Sequence, residues 1–276
     1  LDTPGVLWPK FEDERTGVLL AALIQFLSTI SISSEGMTLV VRTENPDISR
    51  MVLRLIKDFY GAKTEMSIVR KMRLNKNKVY IIRIMDHNRE MLADLGLWTE
   101  EGIMDHPSRA LTNNRENAKA YLAGCFLAAG SVNDPHKSDY HLEIATQNDE
   151  LARYIIRVMK RLNLPAKKIV RRKQTVVYMK SADLINDFLI YVGAQDSAMD
   201  YADIKIRRDY YNSVTRLENC KTANEVKSIK TGQQQLEAID RLTENGKFDK
   251  LDMKVKEAAI LRMENPEASL QELAEK

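Results

Sequence analysis

Apolar positions in this chain follow one order of spacings twice before a third pattern begins. Over residues 11–28, Val18, Leu19, Ala22, Leu23 and Phe26 recur at helical intervals. Ile30-Ser31-Ile32-Ser33 then alternates with period two, Glu35-Gly36 predicts a turn, and 37–43 predicts a returning strand. Met51, Val52, Leu55, Ile56 and Phe59 mark a helix over 48–60, which Gly61 would end as a left-handed cap. A second hairpin is expected over 63–72 and 78–84 around Asn75-Lys76-Asn77, and a short helix closes the unit near Leu95-Gly96. The predicted order is αββαββα.

The second half repeats it. A helix is expected over 115–129, strands over 130–134 and 139–146, a helix over 149–163, strands over 167–173 and 175–181, and a helix over 182–192. Leu20, Ala21 and Ala22 of the first helix correspond to Leu122, Ala123 and Gly124 of the second. The register then holds: Thr43-Glu44-Asn45 matches Thr146-Gln147-Asn148, placing an Asn where each following helix needs an N-cap. Val79-Tyr80-Ile81 matches Val176-Val177-Tyr178, and Leu95-Gly96 matches Val192-Gly193. An internal repeat is the reading: 11–97 and 115–195, joined by a connection over 98–114 that carries Pro107, Asn113 and Asn114. Each repeat predicts a four-stranded antiparallel sheet with helices on one face and the other face open.

Past Gly193 the spacing is helical throughout. Residues 196–247 predict a helical linker, with helices over 204–217 and 223–242 separated at Asn219-Cys220-Lys221-Thr222-Ala223-Asn224 and stopped by Asn245-Gly246. Over 248–276, a helix spanning 251–263 meets Asn265-Pro266, and Ser269-Leu270-Gln271-Glu272 forms a capping box that opens another helix. Many helix-turn-helix domains enter their turn this way, and the expected chain end at Lys276 precedes any recognition helix. The fold class is therefore α+β, a pseudo-twofold pair of αββαββα repeats followed by an all-α helix-turn-helix domain.

Net charge adds little, since 42 Lys and Arg face 39 Asp and Glu for a formal +3. Its distribution adds more. Between Leu151 and Lys180 no acid occurs, and Lys167, Lys168, Arg171, Arg172 and Lys173 crowd one predicted hairpin. The equivalent hairpin of the first repeat carries Arg70, Lys71, Arg73, Lys76 and Lys78. These ten are the candidate DNA-binding residues, because cations that neutralise phosphates release condensed counterions. Alternation divides them: Lys167, Arg171 and Lys173 share one strand face, while Lys168 and Arg172 share the other. The two cysteines, Cys125 and Cys220, suit a reducing cytoplasm, and the apolar run from Val18 to Leu27 is far too short to span a membrane.

The stretch Tyr121-Leu122-Ala123-Gly124-Cys125-Phe126-Leu127-Ala128-Ala129-Gly130 resembles the packing helix of the LAGLIDADG homing endonucleases. That resemblance implies a close helix pair at a pseudo-twofold axis and a metal-binding acid at the foot of each helix. Here the foot positions are Ala129 and, in the first repeat, Leu27, so no catalytic residue, metal or cofactor is expected. Asp134, His136, Asp139 and His141 offer oxygen and nitrogen ligands near one foot only.

Several further stretches resemble the WhiA family of bacterial sporulation regulators, above all Gly130-Ser131-Val132-Asn133-Asp134-Pro135 and Asn219-Cys220-Lys221-Thr222-Ala223-Asn224, with Tyr140-His141-Leu142-Glu143 and Pro266-Glu267-Ala268-Ser269-Leu270. The resemblance implies a cytoplasmic, nucleoid-associated transcription factor acting on sporulation or cell-division genes without nuclease activity. Its implied partners are duplex DNA at promoters, with RNA polymerase or other regulators. Two other readings remain open: a protein-interaction scaffold whose basic hairpins meet an acidic partner, and an active endonuclease.

Overall fold

The computed structural model describes residues 14–33, 36–70, 78–172 and 174–275. Glu35, the Asn75-Lys76-Asn77 turn and residues 11–13 of the first predicted helix lie outside them. The chain divides into two compact units between Lys205 and Ile206.

In the first unit both repeats take the predicted order. The first runs α1 (Glu14–Leu27), β1 (Ser28–Ser33), β2 (Gly36–Thr43), α2 (Pro46–Tyr60), β3 (Thr64–Arg70), β4 (Lys78–Ile84) and α3 (Asn88–Asp94). After a short hairpin, β5 (Trp98–Thr99) and β6 (Gly102–Ile103), the second runs α4 (Arg115–Ala129), β7 (Gly130–Val132), β8 (Leu142–Thr146), α5 (Asp149–Arg161), β9 (Lys167–Arg171), β10 (Gln174–Met179) and α6 (Ala182–Tyr191). The two sheets share one antiparallel topology, β1-β2-β4-β3 and β7-β8-β10-β9.

The caps explain the element ends. Asn45 accepts from the backbone N–H of Asp47 at 2.8 Å and of Ile48 at 3.2 Å, and Asn148 accepts from Leu151 N–H at 2.8 Å. Gly61, at φ 59°, closes α2 in the left-handed region. Behind the sheets one apolar core joins Leu20, Leu23 and Ile24 of α1 to Leu39, Ile82 and Ile84 of the first sheet, and Tyr121 and Leu122 of α4 to Ile144 and Val177 of the second.

Two expectations need correction. The predicted strand over 139–146 begins only at Leu142, and its partner stops at Val132, because Asp134 folds the chain between them. Its carboxylate accepts from His136 N–H at 2.9 Å, and its carbonyl accepts from Lys137 and Ser138 N–H. Within the connection over 98–114, Gly102, at φ 117°, turns the β5–β6 hairpin, and a 3-10 turn over Arg109–Thr112 buries Leu111 and Thr112. The hydroxyls of Thr112 and Tyr154 lie 2.9 Å apart, and the His106 ring stacks on Tyr154, which fastens the connection to α5. Finally, the linker is one helix, α7 (Gln195–Glu244), with no break at 219–224. Cys, Lys, Thr and Asn each cost only a few tenths of a kcal/mol in a helix, and neither Gly nor Pro interrupts the stretch. The Asn245-Gly246 stop is where it was expected, with Gly246 at φ 61°.

In the second unit, residues 206–275, the later turns of α7 are followed by α8 (Met253–Glu264) and α9 (Leu270–Ala274). Ser269 and Glu272 form the reciprocal capping box at the start of α9. Arg262 is almost fully buried at 3% exposure. It donates to Gln235 Oε1 at 2.8 Å and to the carbonyls of Asn265, Pro266 and Ala268, so it ties the turn to α7. No helix of the described residues is long and apolar enough to cross a membrane.

Candidate nucleic-acid interface

Residues paired directly across an antiparallel ladder share a face, so the register sorts every strand residue into helix side or open side. In the second sheet Ile144, Val177 and Lys168 form one helix-side row, and Thr146, Thr175 and Val170 another. The open side carries Ser131, Glu143, Tyr178 and Lys167 in one row, Ala145, Val176 and Ile169 in the next, and Arg171 beside Gln174.

This arrangement separates the basic residues of the hairpin. Lys167 and Arg171 lie on the open face. Lys168 sits on the helix-side rim and forms an ion pair with Asp149 in the first turn of α5. That bond holds the Asp149 carboxyl below the usual carboxylate range, with Arg153 adding to the effect at 2.8 Å. Arg172 occupies the turn itself at φ 46°, a left-handed conformation that costs an L-residue roughly 1 kcal/mol. Lys173 lies outside the described residues. Cations on α5 are engaged behind the sheet: Arg157 lies over the Tyr154 ring and Arg161 donates to the Thr112 carbonyl.

Around Arg171 the open face holds a small polar hollow lined by Asn133, Asp139, Tyr140, His141, Glu143 and Lys180. Glu143 lies 3.1 Å from His141 Nε2 and 3.7 Å from the Arg171 guanidinium. The Tyr178 ring stacks on His141, and Lys180 sits 5.8 Å above the same ring. Asp134 does not join the hollow, since its carboxylate closes its own turn and pairs with Lys137 at 3.2 Å. Among the described residues no group of three or more His, Cys, Asp or Glu is placed to hold a metal ion.

The first sheet distributes its charge differently. Arg70 and Lys78 pair with each other at the hairpin end, in register with the helix-side residues Ile82 and Ile84, and so lie on the rim. Lys71, Arg73 and Lys76 lie outside the described residues. The open side carries Arg83, directly opposite Glu65, and Arg42, whose guanidinium donates to Thr29 Oγ1 at 3.3 Å. Reasoning from clusters of cations misses Arg42, which is the one cation of its strand. The signal was present in alternation: Leu39, Val41 and Thr43 face the helices, so Arg42 between them faces out.

Behind the two sheets α1 and α4 run side by side and parallel, with Glu14 accepting from Asn117 Nδ2 near their starts and Ala22 against Gly124 further on. A β-carbon on Gly124 would also meet the Leu19 carbonyl oxygen at 2.8 Å, so the absence of a side chain sets the approach. Each helix runs straight into a strand, and their last residues are Leu27 and Ala129. The second repeat caps the end of the first helix: Gln147 Nε2 donates to the carbonyls of Gln25 and Phe26 at 3.2 and 3.1 Å. Tyr121 donates to Gln25 Oε1 at 2.7 Å, and Gln25 Nε2 donates to the Asp105 carbonyl.

Two αββαββα repeats sharing a parallel central helix pair, each helix opening onto a four-stranded sheet, define a LAGLIDADG-like protein with apolar residues at both helix feet. A helix-turn-helix segment follows it in the chain. The chain belongs to the WhiA family. Residues 14–98 match the WhiA N-terminal LAGLIDADG-like domain, 118–211 the WhiA LAGLIDADG-like domain, and 214–276 the WhiA C-terminal HTH domain. It is 41% identical over 265 residues to the probable cell division protein WhiA of Latilactobacillus sakei, covering 95% of this chain and 84% of that protein. The protein of the same name in Enterococcus faecalis is 39% identical over 262 residues, again with 95% and 84% covered. The crystal structure of full-length DUF199/WhiA from Thermatoga maritima shares the fold, with a TM-score of 0.59 at 22% identity over 98% of this chain and 87% of that one.

Proposed function

We propose that the chain is a DNA-binding transcriptional regulator of cell-division and sporulation genes, built on a LAGLIDADG scaffold that does not cleave. The open face of the second sheet carries the reading. Lys167 and Arg171 hold open-face positions on that sheet, Lys180 lines the hollow beside Arg171, and Arg42 and Arg83 hold open-face positions on the first sheet. Duplex phosphates are the ligand that such separated cations on two sheets suit, and the match of residues 214–276 to a helix-turn-helix domain, a class that binds DNA, supports the same reading. On this reading the six described residues among the ten picked from the sequence divide by role. Lys167 and Arg171 contact phosphate, Arg172 approaches it from the turn, and Lys168, Arg70 and Lys78 serve the rim. Promoter DNA is the partner, with RNA polymerase or other regulators alongside it, and the site of action is the nucleoid in the cytoplasm.

A cleaving enzyme of this architecture needs acids where the two helices end, and Leu27 and Ala129 offer no ligand atoms there. Fluorescence anisotropy on labelled duplexes at rising salt tests the binding. Affinity should fall steeply with salt, and an absent or salt-independent association would sink the proposal. Supercoiled plasmid incubated with the protein and magnesium should stay closed; nicking that copurifies with the protein revives the endonuclease.

One observation favours a second reading. Arg171 and Lys168 already meet carboxylates of their own chain, Glu143 and Asp149, so the hairpin can also receive an acidic protein surface. An acidic peptide that displaces duplex DNA from the full chain would support it.

A further inference from the structure

The two pseudo-equivalent edge strands, β3 and β9, differ in a way that the DNA reading does not use. Among the described residues β3 pairs with β4 alone and β9 with β10 alone, so each presents one unpaired row of backbone N–H and C=O groups. Such a row is a template for another strand unless something blocks it. On β9 the block is plain. In the antiparallel register that overlaps two copies of the strand over its full length, Lys167 would stand opposite Arg171 of the other copy at both ends, and like charges directly opposed are destabilising.

On β3 that protection is missing. Its sequence, Thr-Glu-Met-Ser-Ile-Val-Arg, carries one acid and one base over seven residues. Met66, Ile68 and Val69 are large, apolar and 41%, 56% and 49% exposed. Met66 and Ile68 lie on the helix side, in register with Ile82 and Tyr80, where the helices do not reach over them.

We infer that β3 is a self-association edge, at which two copies of this chain join their first sheets antiparallel into one continuous eight-stranded sheet. A twofold axis perpendicular to the sheet keeps each face continuous, so helix-side residues must meet helix-side residues. The full-length register satisfies this: Met66 of each copy lies opposite Ile68 of the other, Thr64 opposite Arg70, and Glu65 opposite Val69. Ser67 lies opposite itself on the axis. No position in that register opposes two like charges, in contrast to β9. The second copy covers the exposed Met66 and Ile68 side chains on each strand, and both open faces end on one side of the joined sheet.

Sedimentation velocity of the full chain across a wide concentration range should show a reversible dimer. Ile68→Lys should return it to the monomer at every concentration, with circular dichroism unchanged. A chain that stays monomeric throughout, or a dimer that Ile68→Lys leaves intact, overturns the inference. A second measurement does not depend on that variant. In a Cys220→Ser background, Ser67→Cys should form an intermolecular disulfide on mild oxidation, because opposed residues of an antiparallel pair bring their Cα atoms within disulfide range. Val69→Cys, which the register places opposite Glu65, should cross-link several-fold more slowly. Equal cross-linking at both positions, or none at Ser67→Cys, argues equally against it.

Discussion

A β-carbon placed on Gly124 would stand 2.6 Å from the β-carbon of Ala22, well inside van der Waals contact. The two positions are equivalent in the two repeats, so the smallest residue of one central helix lies against the next smallest of the other. This pair sets how closely α1 and α4 approach.

Gly124→Ala should therefore destabilise the first unit by about 1–3 kcal/mol despite the better helix propensity of Ala, because the Leu19 carbonyl cannot move aside as a side chain would. Urea unfolding measures it. Adding Ala22→Gly should recover part of the loss, and an unchanged midpoint in Gly124→Ala would show that the helices have room to separate.

The sheet register predicts that neighbouring lysines differ. Lys167→Ala and Arg171→Ala should each weaken duplex binding about equally for all sequences and lower the salt slope by roughly one. Lys168→Ala should leave the slope nearly unchanged, since that lysine is held by Asp149 on the other side of the sheet. Equal effects at 167 and 168 would show that the rim touches DNA as well.

At the turn, stability and binding should part company. Arg172→Gly relieves the left-handed backbone at φ 46°, so thermal stability should hold or rise by up to about 1 kcal/mol while duplex affinity falls. If both fall together, Arg172 makes a structural contact at the hairpin.

Arg262 is the most consequential charge of the second unit. Arg262→Met keeps the volume but strips Gln235 and the turn carbonyls of their donor, which should cost roughly 1–3 kcal/mol. Hydrogen exchange should show faster opening over 253–275, and unaltered protection there would count against the clamp.

Asp149 provides a pH marker. Its carboxyl is depressed in the fold, so its contribution is complete above the ordinary Asp value of about 4 and disappears as pH falls through the lower folded value. Lys168→Ala removes the largest cause, so carboxyl titration by NMR should move upward toward the ordinary value. No movement would assign the depression to Arg153 instead.

Most of the fold was legible because two copies of one pattern checked each other. The Asn45 and Asn148 caps, the Gly61 stop and the Ser269–Glu272 box are local chemistry, readable without tertiary context. What escaped depends on distant partners. Two-residue strands such as β5 and β6 carry no period, and the Thr112–Tyr154 bond that orders the connection joins residues 42 apart. Alternation along β9 separated Lys167 and Arg171 from Lys168 correctly. Alternation along β2 likewise puts Arg42 outward, whereas only the register with β4 moves Arg70 and Lys78 to the rim.

Gln147 donates to the last carbonyls of α1, and Tyr121 holds Gln25 in the same helix. Each of these donors belongs to the other repeat, so the two halves are no longer interchangeable modules. If the chain were divided in the connection over 98–114, the first piece would lose the donors at the end of α1 and would recover them only by finding the second. The symmetry of the fold therefore conceals a one-way dependence, with the first repeat finished by side chains of the second.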